Sequence, residues 1–138
     1  MRRVEVVLGV VVRAGKVLIC QRPDESHLGG HWEFPGGKRE PDESMEQCLA
    51  RELAEELGIV VTPLAALDVI EHDYPDVRVR LHPYLCTCGG GKPRPLASRQ
   101  LRWVTPNELA DYSFPPANDS LLRQLRERLG AAAKSETP

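Results

Sequence analysis

The sequence predicts an α/β domain in which helices pack against a mixed sheet. Three features carry that expectation: a valine-rich run from Val4 to Val12, a capped helix with a leucine stripe between Ser44 and Gly58, and a second group of β-rich runs followed by a terminal helix. The 138 residues fit one domain with an ordinary single core. That domain is expected over residues 1–130, with 131–138 a disordered tail.

Val4–Val12 and Val17–Cys20, joined by a turn at Arg13-Ala14-Gly15-Lys16, read as a β-hairpin. The first run is apolar on both pleat faces, as in a strand inside a covered sheet. Pro23 to Gly37 reads as loop, punctuated by Gly29-Gly30 and Pro35-Gly36-Gly37. Ser44-Met45-Glu46-Gln47 is a capping box that opens a helix. Leu49, Leu53 and Leu57 give it one apolar stripe, and Gly58 closes it as a C-cap. Strands are expected at Leu64–His72 and Val77–Cys86, linked by a turn at Tyr74-Pro75-Asp76. Gly89-Gly90-Gly91-Lys92-Pro93 reads as a flexible break; it is no P-loop, since proline follows the lysine and no Ser or Thr is placed for a metal. Leu101–Val104 reads as a short strand and Pro106–Asp111 as a short helix. Asn118 or Asp119 is placed to cap a final helix running to about Leu129.

Composition narrows the function classes. The chain is 41% hydrophobic and 28% charged with a formal net charge of −2, so no global field recruits a nucleic-acid polymer. Glu5 interrupts the N-terminal apolar run and no small-residue cleavage pattern follows, against a signal peptide. No run reaches bilayer-spanning length. Cys20, Cys48, Cys86 and Cys88 make no disulfide framework, and Cys86-Thr87-Cys88 reads as alternate residues of a strand rather than half a zinc site. A cytoplasmic address follows as the default. The histidines carry little: His27 and His31 are candidates to line a pocket, His72 and His82 packing or surface groups. The twelve prolines, mostly in the second half, imply irregular connections there.

The chemistry-bearing feature is acidic. Glu52, Glu55 and Glu56 are spaced to project from one side of the helix, at the margin of the leucine stripe. Like charges at this spacing cost a helix roughly 0.2–0.5 kcal/mol per pair. Carboxylates in a last turn also meet the negative end of the macrodipole, at about 0.3–1 kcal/mol each. Folding alone would put Lys or Arg before Gly58. An oxygen-ligated divalent cation, Mg²⁺ or Mn²⁺, compensates such a cluster. A solvated acidic face, partly neutralised by Arg51, accounts for three glutamates taken alone.

The surroundings extend the pattern. Gly37, five residues, Glu43, seven residues, then Arg51-Glu52-Leu53-Ala54-Glu55-Glu56-Leu57-Gly58-Ile59 resembles the complete Nudix box without a mismatch. The flanks, Trp32-Glu33-Phe34-Pro35-Gly36-Gly37-Lys38 and Phe114-Pro115-Pro116-Ala117-Asn118, resemble the MutT branch, with gaps, to about Leu129. The resemblance implies the Nudix fold, a mixed sheet sandwiched between α-helices. It implies metal ligation by Glu52, Glu55 and Glu56 with the Gly36 carbonyl, and a catalytic group of Glu52, Glu55 and Arg51. Glu52 is the first choice for the base, or for the ligand holding the nucleophilic water. Glu43 would support the loop or an outer metal shell, and Lys38 and Arg39 would contact phosphates. One departure stands out: MutT-like relatives place a further glutamate just before the Trp103 strand, whereas Leu96–Arg102 here contains no acid. Glu71, Asp73 and Asp76 are the candidate substitutes.

For the substrate, the resemblance implies a nucleoside triphosphate cut to the monophosphate and pyrophosphate. Arg22, Phe34 and Asn118 match residues that recognise oxidised guanine in MutT, so 8-oxo-dGTP leads, with a role in nucleotide-pool sanitation and DNA repair. Asn118 is also readable as a helix N-cap, Arg22 as a strand end and Phe34 as core. The alternatives are hydrolysis of CTP or a modified pyrimidine triphosphate, and, from another class, a non-catalytic nucleotide-binding Nudix module. The implied partners are the nucleotide, no nucleic-acid polymer and no membrane; monomer and homodimer both stay open.

Overall fold

The valine run becomes a long central strand because both of its faces are covered. The computed structural model of the chain describes residues 2–25 and 28–136, the last six by backbone alone. Strand β1 (Arg2–Arg13) turns at Ala14-Gly15 into β2 (Lys16–Gln21). Then come β3 (Trp32–Glu33), β4 (Gly36–Lys38), helix α1 (Met45–Leu57), β5 (Val60–Ala66), β6 (Ile70–Asp73), β7 (Val77–Gly90) and β8 (Gln100–Val104). Two 3-10 turns, Asn107–Asp111 and Pro116–Asn118, lead to α2 (Asp119–Glu136). Among the described residues, β1 and β7 run parallel from Arg2↔Val77 to Val11↔Cys86, and the other pairings are antiparallel, so the sheet is mixed.

Alternation along β1 sorts the core into two layers. Val7 and Val11 face α1 with Leu18, Leu49, Leu53, Leu57 and Ile59. Val10 faces the other way, with Ile19, Phe34, Leu109, Leu121 and Leu125, under α2. The helices therefore sandwich the sheet, as the sequence implied. Gly9 lets α1 lie close, since a methyl there would sit 2.7 Å from Leu53 Cδ2. Burial pushes the thiols of Cys48 and Cys86 up to about 12, in keeping with their place in the core.

Several expectations are corrected. The stretch read as loop contains β3 and β4, because Cys20 and Gln21 offer partners to Glu33 and Trp32, while Val6–Leu8 pair with Gly36–Lys38. Leu64–His72 is two strands rather than one: Leu67 turns into the core between them, its amide donating to the Pro83 carbonyl at 2.8 Å. The glycine run breaks later than expected, because Gly90 still pairs with Val60. The short helix expected at Pro106–Asp111 is present, as a 3-10 helix over Asn107–Asp111 that follows Pro106. Asn118 ends a 3-10 turn directly before α2, its Nδ2 donating to the Pro115 carbonyl at 3.5 Å, and α2 continues beyond Leu129. The expected tail falls mostly where side chains are not described, and residues 137–138 lie outside the description.

Candidate active site

Helix α1 is locally determined at both ends. Ser44 Oγ accepts from the Gln47 amide at 3.1 Å while Gln47 Oε1 accepts from the Ser44 amide at 2.8 Å. At the far end Gly58 takes φ 69°, a left-handed value that suits glycine, and its amide donates to the Ala54 carbonyl. With Leu49, Leu53 and Leu57 fully buried, the glutamates fall at the edge of the interface. The side chain of Glu52 is 15% exposed and that of Glu55 60%. No basic residue stands in the last turn.

Arg51 organises the entry to the helix. Its Nε and Nη2 donate to the two Glu43 oxygens at 3.0 and 2.7 Å, and Nη2 also reaches the Lys38 carbonyl at 3.2 Å. The Glu43 carboxyl is held down to about 2, first by Arg51 and then by the Glu40 amide. What remains of the guanidinium, Nη1, contacts Glu52 at 3.0 Å and Glu55 at 3.4 Å. Arg51 thus ties the acids of the helix to the acid of the loop.

Strand β4 threads between β1 and α1, and its glycines leave room for backbone at Gly36 and for a carboxylate at Gly37. A methyl on Gly36 would stand 1.9 Å from the Val7 carbonyl oxygen; one on Gly37 would enter the Glu52 carboxylate at 2.5–2.6 Å. The Gly36 amide donates to Glu56 Oε2 at 3.0 Å. Burial, and next the charge of Glu52, push the Glu56 carboxyl up to about 8. Glu52 and Glu56 therefore form an under-compensated acidic pair laid over glycine backbone. Such all-oxygen donors fit a hard divalent cation. Among the described residues no three potential ligands already surround one point, so gathering all three acids would draw Glu55 inward.

Beside this pair opens a cavity of about 380 Å³, lined by Arg22, Phe34, Gly36, Lys38, Glu56 and Asn118 among others. Residues far apart in sequence thus meet at one place. Arg22 Nη1 donates to Glu33 at 2.8 Å, and Phe34, 2% exposed, stacks on Phe114 at 5.4 Å between ring centres. Glu33, Leu28, Tyr74 and Leu81 also line the cavity and were not singled out from sequence; Glu33 stood in the quoted flank, but only the β2–β3 pairing sets it beside Arg22. Glu71 and Asp73, candidate substitutes for the loop acid, are both paired with arginines. Asp73 is bound to Arg78 at 2.7 Å, Glu71 faces Arg80 at 3.4 Å, and neither they nor Asp76 line the cavity. His31 does not line it either, and His27 lies outside the described residues. A larger depression of about 690 Å³ between β6 and α2 is lined by Glu71 but by none of Arg22, Phe34, Gly36, Lys38, Glu56 or Asn118; chemistry rather than size picks the site.

An acid-bearing helix laid across a glycine strand, beside a polar-lipped cavity in a two-helix sandwich, defines the class of Nudix hydrolases. The chain belongs to that family: the model described as NUDIX domain matches residues 6–124. Within it the chain is a MutT-like hydrolase. It is 47% identical over 87 residues to the 8-oxo-dGTP diphosphatase of Proteus vulgaris, covering 62% of this chain and 78% of that one. It is 38% identical to the CTP pyrophosphohydrolase of Escherichia coli, over 88% and 90% of the two chains. Among solved structures, the E. coli ORF135 protein superposes with TM-score 0.82 at 37% identity over 96% and 94% of the chains. MutT, from a study of the Aliivibrio salmonicida and Vibrio cholerae proteins, gives 0.74 at 36% identity over 92% and 99%. Nudix hydrolases use divalent cations. No helix among the described residues is long and apolar enough to cross a membrane.

Proposed function

We propose that this chain hydrolyses 8-oxo-dGTP to the monophosphate and pyrophosphate, clearing oxidised nucleotide from the cytoplasmic pool before it reaches DNA. The observation that carries the proposal is convergence: Arg22, Phe34 and Asn118 line the same cavity as Gly36, Lys38 and Glu56. The Asn118 amide, 8% exposed, presents a donor and an acceptor together, the pair needed to read a base edge bidentately. Phe34, buried against Phe114, is a firm wall for the base. The partner is the free nucleotide, with no polymer and no membrane, and the enzyme acts as a monomer or a homodimer.

Glu52, Glu55, Glu56 and the Gly36 carbonyl would hold Mg²⁺ or Mn²⁺, which when bound supplies charge neutralisation at phosphoryl oxygens and an acidified water. The chain's own groups do the rest. Lys38 meets the phosphate charge, and Arg51 keeps Glu52 in place. Glu52 takes the proton as the water oxygen bonds to phosphorus in line; the bridging P–O bond breaks, and monophosphate and pyrophosphate leave.

The relative that hydrolyses CTP favours a second reading, in which the base is a pyrimidine. A kinetic panel of 8-oxo-dGTP, dGTP, CTP and 5-methyl-dCTP, with Mg²⁺ and with Mn²⁺, separates the two. In the wild type 8-oxo-dGTP is expected to show the highest kcat/KM. Asn118→Ala is expected to cost about 1–3 kcal/mol on that substrate, roughly 5- to 150-fold, and less on CTP. An unchanged order of substrates would end the base-reading role.

The Glu56 carboxyl makes cation binding pH-dependent. Raised from 4.5 to about 8, it keeps its proton through neutrality in the folded chain and must release it to a cation. Without metal, this group makes the folded state lose stability as pH rises from 4.5 towards 8, because the folded state binds the extra proton there. With metal the sign reverses: affinity climbs across that window and levels off above it. The rise in Tm on adding Mg²⁺ is therefore expected to be larger at about pH 8.5 than at about pH 6.5. Equal rises at the two values would remove Glu56 from the ligand set.

A further inference from the structure

The acids of α1 stand where a helix turns its unpaired carbonyls outward, and the helix brings no cation of its own to that turn. The fold brings one from elsewhere. Past β7 the chain doubles back under the helix end, and the Arg94 amide donates to the Leu57 carbonyl at 2.9 Å. Two residues on, the Leu96 amide donates to the Glu56 carbonyl at 3.1 Å. A methyl on Gly58 would come within 2.8 Å of Arg94 Nη2, so the guanidinium rests against the C-cap. Gly91 is what allows the approach: its φ is 86°, and a methyl there would sit 2.7 Å from the Gly58 carbonyl oxygen. The strap is tied at its other end too, by the Arg99 amide on the Gln21 carbonyl at 2.9 Å and by Arg99 Nη1 on both Asp24 oxygens at 3.0 Å. It links the acid-bearing turn to the strand that leads into Arg22.

We propose that Arg94 is a positioning residue. Its cation against Gly58, with the amides of Arg94 and Leu96 on the last carbonyls, holds the final turn of α1 so that the Glu56 carboxyl stays on the Gly36 amide. That turn has two reasons to fray: carbonyls without intrahelical partners, and glutamates that repel one another at helical spacing. The strap answers both, giving two carbonyls a donor and the turn a positive charge. Because Glu56 hangs from this turn, a small shift of its backbone moves the carboxyl off Gly36, and misplacement at a reacting centre costs rate out of proportion to its size. The proposal rests on reading the α1 acids as the working groups.

Arg94→Ala and Arg94→Lys test it in the full chain with Mg²⁺ and 8-oxo-dGTP. Arg94→Ala is expected to lower kcat about tenfold, keep KM within about twofold, and raise the Mg²⁺ concentration giving half-maximal rate. Arg94→Lys, which restores the charge, is expected to recover most of kcat. A second readout needs no turnover. In metal-free protein the amides of Glu56, Leu57 and Gly58 are expected to exchange with solvent about fivefold faster in Arg94→Ala, while those of α2 do not change. Wild-type kcat in Arg94→Ala, a loss confined to KM, a lysine variant no better than alanine, or unchanged exchange in the last turn would each overturn the proposal. A wild type that cuts no nucleotide, with exchange responding as expected, would sink the proposed function and leave the strap's hold on the turn standing.

Discussion

Replacing Glu52 by glutamine is expected to lower kcat by about 10²- to 10⁴-fold with KM little changed, the range for loss of a positioned base. The substitution keeps the shape of the side chain and removes its charge. Glu52 is the acid best placed for the work: it is 15% exposed, held by Arg51 Nη1 at 3.0 Å and laid over the backbone of Gly37. The fold should survive, because the charge removed is one that raises the Glu56 pKa. Metal-free Glu52→Gln is therefore expected to melt no lower than wild type. Steady-state kinetics at saturating Mg²⁺, with a thermal melt as control, make the measurement. A fall of less than about tenfold takes the base role away from Glu52.

Adjacent glycines are expected to fail in opposite ways. The methyl of Gly37→Ala meets the far end of the Glu52 side chain, a group that can swing aside. Stability should hold to within about 1 kcal/mol while kcat drops on the order of 10²-fold, since the displaced group is the proposed base. The methyl of Gly36→Ala meets the Val7 carbonyl oxygen at 1.9 Å, and backbone in the middle of a paired strand has nowhere to go. β4 must leave β1, at a cost of about 3 kcal/mol or more, and activity falls because the fold loosens. Urea melts and kinetics on the same preparations separate the two. A Gly37→Ala enzyme with native kcat would show that Glu52 need not lie over Gly37; an undiminished Gly36→Ala melt would show that β4 can shift without cost.

Relatives that are hydrolases set aside the reading of this chain as a non-catalytic module. The substrate choice rests on Asn118, and its surroundings show why that residue was ambiguous beforehand. From sequence it reads equally as a helix cap and a base reader; the structure buries it at the cavity wall, directly before α2.

Local patterns proved the most legible. Helix α1 was readable at both ends, since a capping box, a leucine stripe and a C-cap glycine act within a few residues of one another. The spacing of Glu52, Glu55 and Glu56 followed for the same reason. What the chain could not announce were partners chosen by other strands. β3 and β4 form only because β1 and β2 offer free edges, and the break at Leu67 comes from packing under α2. Glu71 and Asp73, the candidate stand-in acids, pair with Arg80 and Arg78 across β6 and β7, a meeting that spacing along the chain does not announce.

The amino-acid order by itself determined the acidic helix and its caps, because hydrogen bonds and steric limits between near neighbours are written in residue type and spacing. Tertiary structure alone decided that Glu56 would rest on Gly36, that Arg94 would close the helix end, and that Arg22, Phe34 and Asn118 would share one cavity. Those are meetings of distant segments, and they exist only once burial of the two core layers has brought the segments together.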